Sequence, residues 1–295
     1  MFTIVLGFAT SLVYGFADFF GALGSKHIKP VVVTFWSGLS GLALLLTASL
    51  FMGADFNSNS ILCGVIGGIA SAFAMTCLYA ALAIGPISIL SPLSAVVMAI
   101  VPMIIGFAQG DRFSLWGWVA LGAILVAVVL VGFVPGDDVR LPSLKGLLLG
   151  IGAGIGMGAV LLALAAAAAP KDSGLASPAI LRAVSASLLG IFMLLTINRG
   201  GAASSQGKVA AGQRSRVSTK IWLAVMATGF LDSSANVFFT IASRQGSLSV
   251  VSVLTALYPL GTIILARIFL KEKIARSQMF GIILALTASA VLAII

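Results

Sequence analysis

The sequence predicts an all-α integral membrane protein of ten transmembrane helices arranged as two inverted five-helix repeats. Three observations predict it. Of 295 residues, 60% are hydrophobic and only 8% are charged, against about 25% charged in ordinary soluble domains. Ten apolar stretches are each about long enough to span a bilayer, for which about 20 residues suffice. The chain also partly matches itself at a fixed offset. A mean hydropathy of +1.17 excludes a soluble enzyme, a disordered chain and a nucleic-acid-binding domain, because a water-facing surface needs polar side chains.

The stretches are 2–24, 31–52, 60–83, 87–109, 115–134, 144–168, 175–197, 220–243, 247–270 and 275–294. The first carries Asp18 and lacks a basic leader, so it reads as a retained helix and not as a cleaved signal. Connections such as 25–30, 110–114 and 271–274 are short and force neighbouring helices to run antiparallel. Only 198–219 is long. Its Ser, Gly, Gln and basic residues give a flexible polar loop.

Orientation follows from Lys and Arg. The odd-numbered connections carry Lys26, Lys29, Arg140, Lys145, Arg199, Lys208, Arg214, Arg216, Lys220, Arg267, Lys271, Lys273 and Arg276. The even-numbered ones carry only Arg112, Lys171 and Arg244. The odd connections are therefore expected in the cytoplasm, with both termini outside. The net charge of +9 is explained by this asymmetry, so no nucleic-acid partner is needed. Cys63 and Cys77 share one stretch about 21 Å apart along a helix, too far for a disulfide. With His27 the sole histidine, no metal site and no cofactor are expected.

Residues 85–95 read GPISILSPLSA and residues 246–256 read GSLSVVSVLTA. At this offset Ser71 falls on Asp232, Met75 on Asn236, Gly67 on Thr228 and Asp111 on Glu272. The break falls at 135–143, giving domains at 1–134 and 144–295. Five helices per half is odd, so the second half enters the membrane inverted. Inverted repeats with a site between them are a transporter plan.

Residues 239–274, FTIASRQGSLSVVSVLTALYPLGTIILARIFLKEKI, carry a mid-helix Pro259 and Glu272 just past the helix end. Residues 14–26, YGFADFFGALGSK, open the chain in a related way. With these features the chain resembles the drug/metabolite transporter superfamily, EamA type. The first half matches less tightly, with Met98 where Pro259 aligns and Asp111 where glutamate is usual. The resemblance implies two inverted repeats around a central cavity. It further implies secondary active transport of a small organic metabolite or drug-like solute, by export. It also suggests the bacterial inner (plasma) membrane. Protons are an optional second partner, membrane lipid surrounds the chain, and monomer and homodimer both stay open.

Three charges lie inside the spans: Asp18, Arg182 and Asp232. Intramembrane charge costs about 2.5–3.5 kcal/mol on insertion scales and is rare without a purpose. Asp232 lies in a stripe with Thr228, Asn236 and Thr240, which recur every four residues and share a helix face. Such a carboxylate can exchange a coupling proton, or else pair with Arg182 to hold two helices. Asp18 shares a face with Ser11, Tyr14 and Ser25, and can bind a cationic group or a proton, or only pack. Arg182 can hold an anionic substrate group, snorkel outward or pair with Asp232. Ser88, Ser91 and Ser94 match Ser249, Ser252 and Thr255 in the second half. These hydroxyls, with Tyr258 and the carbonyls freed by Pro92, Pro102 and Pro259, either line the cavity or bond between helices. Gly150, Gly154 and Gly158 let helix backbones approach. Asp111 and Glu272 are expected to stay solvated at helix ends.

No catalytic group is expected. Gly38-Leu39-Ser40-Gly41 fits an intramembrane serine protease pattern, which leaves that activity as a remote alternative. Its base would have to be His27, nearly 20 Å away if the helix is regular, beyond the reach a serine nucleophile needs. A passive facilitator, exchanger or channel is the nearer alternative to a coupled carrier. Substitution Ser40→Ala is expected to leave every activity of the protein unchanged, which assays of the purified variant check.

Overall fold

In the computed structural model the described residues are 2–25, 27–84, 87–132, 143–168, 174–199, 218–269 and 275–294. They form eleven α-helices: α1 (Phe2–Ser25), α2 (Pro30–Met52), α3 (Ser58–Ile84), α4 (Ile87–Ala108), α5 (Leu115–Gly132), α6 (Leu144–Ala168), α7 (Ala176–Arg199), α8 (Thr219–Gln245), α9 (Leu248–Thr255), α10 (Pro259–Phe269) and α11 (Arg276–Ile294). Six are long and apolar enough to cross a membrane. Helix starts are local in origin. Pro30 opens α2, where its missing N–H costs nothing. Asn57 Oδ1 accepts from Ser60 N (2.8 Å), Ser114 Oγ from Gly117 N (3.2 Å) and Ser143 Oγ from Gly146 N (3.1 Å) at the starts of α3, α5 and α6, each satisfying an orphan donor. Gly53 ends α2 and Gly110 follows α4 with φ of 77° and 111°, a backbone that favours glycine.

The predicted ninth span, 247–270, is a broken helix. Proline has no N–H, and its ring collides with the carbonyl four residues back. The chain answers with three-residue bonds before Pro259, from Leu257 N to Leu254 O and from Tyr258 N to Thr255 O, both 3.1 Å. Pro102 in α4 produces no such break, since α4 runs unbroken through its whole length.

Large apolar side chains such as Phe51, Trp116 and Phe280 are exposed, as a hydrocarbon surround requires. The interior is held by close backbone contact. A Cβ on Gly154 of α6 would lie 2.6 Å from Ser94 O and from Val97 Cβ on α4. The row Gly150, Gly154 and Gly158 packs on α4, while Gly152 and Gly156 face Phe73, Ala74 and Cys77 of α3.

The helix contacts follow a scheme. α1 packs on α8 as α3 packs on α6, α2 on α8 as α7 on α3, and α1 on α9 and α10 as α6 on α4. The remaining principal pairs are α2 with α7, α4 with α9 and α5 with α11. Exchanging the first five spans for the last five carries each of these pairs onto another of them or onto itself, whereas the α6–α8 and α4–α5 contacts have no such counterpart among the described residues.

One end of the bundle collects the chain start and the second, fourth, sixth and eighth connections. Thr3 Oγ1 donates to Gln245 O (3.2 Å), Leu175 N to Gly53 O (3.2 Å) and an Arg244 guanidinium N–H to Gly174 O (3.4 Å). Asp111 is half-buried there, contrary to its expected solvation. Its Oδ2 accepts from Ser247 Oγ (2.6 Å), Ser249 Oγ (2.7 Å) and Ser249 N (3.2 Å). A carboxylate is favoured at a helix N-terminus, where backbone N–H groups are unpaired. Glu272 lies outside the described residues. At the other end Trp36 meets Trp222 (ring centroids 5.9 Å) and Phe19 meets Phe269 (6.0 Å).

Gly154→Val is expected to destabilise the fold by about 1–3 kcal/mol through overpacking. Gly122→Ala, where a Cβ meets open space, is expected to be neutral. Fluorescence-detected gel filtration after heating checks both.

Candidate functional site: a cavity between the helices

A cavity of about 80 Å³ lies where α1, α3, α4, α6, α7 and α8 come together beside the break before α10. Its polar wall is Tyr14 and Asp18 of α1, Ser71 of α3, Arg182 of α7, Asp232 and Asn236 of α8, and Tyr258 in the break. Met75, Met98 and Met157 line it with Ala74, Val160, Leu161 and Leu181.

The helix period delivers these groups. Tyr14 and Asp18 are one turn apart on α1, and Asp232 and Asn236 one turn apart on α8, so each pair shares a face. The Arg182 guanidinium and the Asp232 carboxylate form an ion pair that ties α7 to α8. Tyr14 Oη donates to Asn236 Oδ1 (2.8 Å), and Asn236 Nδ2 donates back along its helix to Asp232 O (2.9 Å). α1, α7 and α8 are thus joined by one polar chain. Asp18 is different. It is the exposed member of the lining and has neither a hydrogen bond nor an ion pair among the described residues.

The structure brings together Tyr14, Asp18, Arg182, Asp232, Asn236 and Tyr258 of the residues singled out in the sequence. Thr240, Ser94, Ser249, Ser252 and Thr255 are buried and do not line this cavity. Thr240 Oγ1 donates to Asn236 O and Thr255 Oγ1 to Val251 O, each 2.8 Å and within its own helix. Ser249 is taken by Asp111 and by Met103 O (3.2 Å). A row of hydroxyls marks a polar helix face equally well whether that face meets a cavity or another helix, and here α4 and α9 meet each other. The side chains of Ser88 and Ser91 lie outside the described residues. Ser40 Oγ donates to Met226 O across α2 and α8 (2.9 Å), and His27 Nδ1 lies 3.2 Å from Leu23 O at the end of its own helix.

The methionines were not visible as site residues, because methionine is ordinary apolar filling in any helix. One signal did point to Met75. At the repeat offset Ser71 matches Asp232 and Met75 matches Asn236, and all four line the cavity.

The model of the EamA-like transporter family matches residues 1–133 and again 144–294. The chain belongs to the EamA-like transporter family. It is thus a multi-pass membrane protein of a transporter family within the drug/metabolite transporter superfamily. A search of curated proteins gives no match. A crystal structure of a protein with 17% sequence identity superposes with a TM-score of 0.76, the match covering 98% of this chain and 97% of that one. At this identity the likeness shows the fold alone.

Removing one partner of the ion pair leaves the other charge uncompensated at a largely buried site, which costs up to about 3–5 kcal/mol. Arg182→Ala is expected to lose that much stability, and the double variant Arg182→Met with Asp232→Leu to recover most of it. Denaturant midpoints of the purified variants check the difference. Equal loss in both would show that shape, not charge, matters there.

Proposed function

We propose that the protein is a secondary active transporter that moves a small organic solute across a bacterial inner membrane, in the export direction, by alternating access. Ten membrane spans form two inverted five-helix repeats, 1–134 and 144–295 joined by 135–143, with α9 and α10 sharing one span. The cavity carries this reading: residues related by the offset, Ser71 with Asp232 and Met75 with Asn236, line it together. The exchange relation among the larger helix contacts and the paired family matches support it. Inverted repeats with a shared central site rock about that site to expose it to each side in turn.

In this conformation the end bearing the even-numbered connections is tied shut by Asp111, Arg244 and the strand-like contact of Ala54 with Gly174. The cavity is smaller than the roughly 300–1,000 Å³ of pockets for drug-sized ligands. A solute of that size therefore enters only when the helices part, which a rocking carrier provides and a static pore does not. Asp18 is the better proton carrier of the two aspartates. Asp232 is engaged by Arg182 in an ion pair, whereas Asp18 has no ion-pair partner among the described residues to give up. The other titratable or charged groups on the cavity wall are Tyr14, Tyr258, Arg182 and Asp232.

The test is the full chain in liposomes with a pH dye inside, given pools of amino acids, nucleosides, sugars and cationic drugs. A saturable proton signal with one pool is expected, falling at least about tenfold in Asp18→Asn. Saturable tracer uptake without a proton signal would make the protein a facilitator or exchanger. Silence for every pool with folded protein would remove the transport reading.

A further inference from the structure

We infer that the cavity is a binding site for an organic cation, with Asp18 as its counter-charge and the methionine wall taking its apolar body. This rests on the carrier reading above and names the substrate class of the same site.

The charge pattern of the wall carries the inference. Arg182 is the lining residue with a positive charge, and Asp232 neutralises it in a direct ion pair. An anionic solute would have to take Arg182 from Asp232 and leave that carboxylate unpaired, a substitution with no net gain. Asp18 faces the cavity with no counter-ion among the described residues. With Asp18 ionised, the wall as a whole is one negative charge in excess. A lone carboxylate beside apolar side chains is relieved by a proton or by a cation, and an occupant with a single positive charge takes the proton's place. A neutral solute does not.

The rest of the wall suits such an occupant. Tyr14 stands one turn before Asp18, and its hydroxyl is fixed by Asn236, so the ring is held in place. A cation gains from an aromatic face within about 6 Å. Met75, Met98 and Met157 are flexible and polarizable, and adapt to apolar groups of varied shape. A lone ammonium with no carbon body would leave this apolar wall unused. An amine or quaternary ammonium with an aliphatic or aromatic substituent uses both parts.

The test reads the charge of the cavity without needing the natural solute. Met75→Cys is made with Cys63→Ala and Cys77→Ala, and the purified full-length chain is treated with two methanethiosulfonates of similar size. One carries trimethylammonium and the other sulfonate, and each rate is divided by that with free 2-mercaptoethanol. The cationic reagent is expected to react at least about tenfold faster, as one uncompensated charge in a site of reduced dielectric requires. Asp18→Asn is expected to bring the ratio close to one, and Asp18→Glu to keep it. Met157→Cys, on another helix of the wall, gives the same ratio and serves if the first variant fails to fold. A ratio at or below one, or a preference that survives Asp18→Asn, overturns the inference. A cation preference in a protein that moves no solute in liposomes would keep the inference and remove the carrier reading. Solute flux without that preference would do the reverse.

Discussion

Hydrocarbon offers no hydrogen bonds, and every other feature of this protein answers to that constraint. Each backbone N–H and C=O must find a partner within the chain, so the spans are helices. Where Pro259 removes a donor, the carbonyls around it are met by short three-residue bonds between α9 and α10. The same constraint governs side chains. Arg182 and Asp232 lie inside the bundle because each supplies what the bilayer does not. Lipid is as apolar as leucine, so helices gain little from hiding leucines from it. Close approach does that work instead, through Gly154 on α4 and through Gly15 of α1, whose Cβ would lie 2.7 Å from Gly261 Cα of α10.

Against that background the polar groups sort into two kinds. Most are consumed locally. Thr10, Thr228 and Thr287 return their hydroxyls to the preceding turn of their own helices. Asp111 is spent on the start of α9 and in doing so ties it to the end of α4. The cavity holds the other kind. There Tyr14, Asn236, Asp232 and Arg182 form a continuous set across three helices, and Asp18 stands beside them. Of the two aspartates on the cavity wall, Asp232 is paired and Asp18 has neither a hydrogen bond nor an ion pair among the described residues.

The cavity lies where helices from the two family-matched stretches come together, and residues matched by the offset line it, Ser71 with Asp232 and Met75 with Asn236. The match is not complete. α4 passes Met98 unbroken, whereas its counterpart breaks at Pro259 and presents Tyr258 to the cavity. The cavity wall is divided in chemistry: α1, α7 and α8 bring the charges, and α3, α4 and α6 bring the methionines.

The sequence by itself determined the class of protein, the extent of nearly every helix and the three intramembrane charges. These depend on composition and on local period, which a linear reading contains. It also separated the connections by charge into two sets, and the structure gathers the even set with the chain start at one end. What the tertiary structure alone decided is which polar face meets which. From sequence the stripe at Asp232, the face at Asp18 and the hydroxyl rows of α4 and α9 were equal candidates for a cavity, because each is a polar face on an apolar helix. Packing decided among them. It set Ser249 against α4, buried Ser252 and Thr255 away from the cavity, joined Asp232 to Arg182 from an adjacent helix, and left Asp18 open. Such a choice depends on the relative rotation of helices far apart in the chain, and a helical period fixes the width of a face but not its direction.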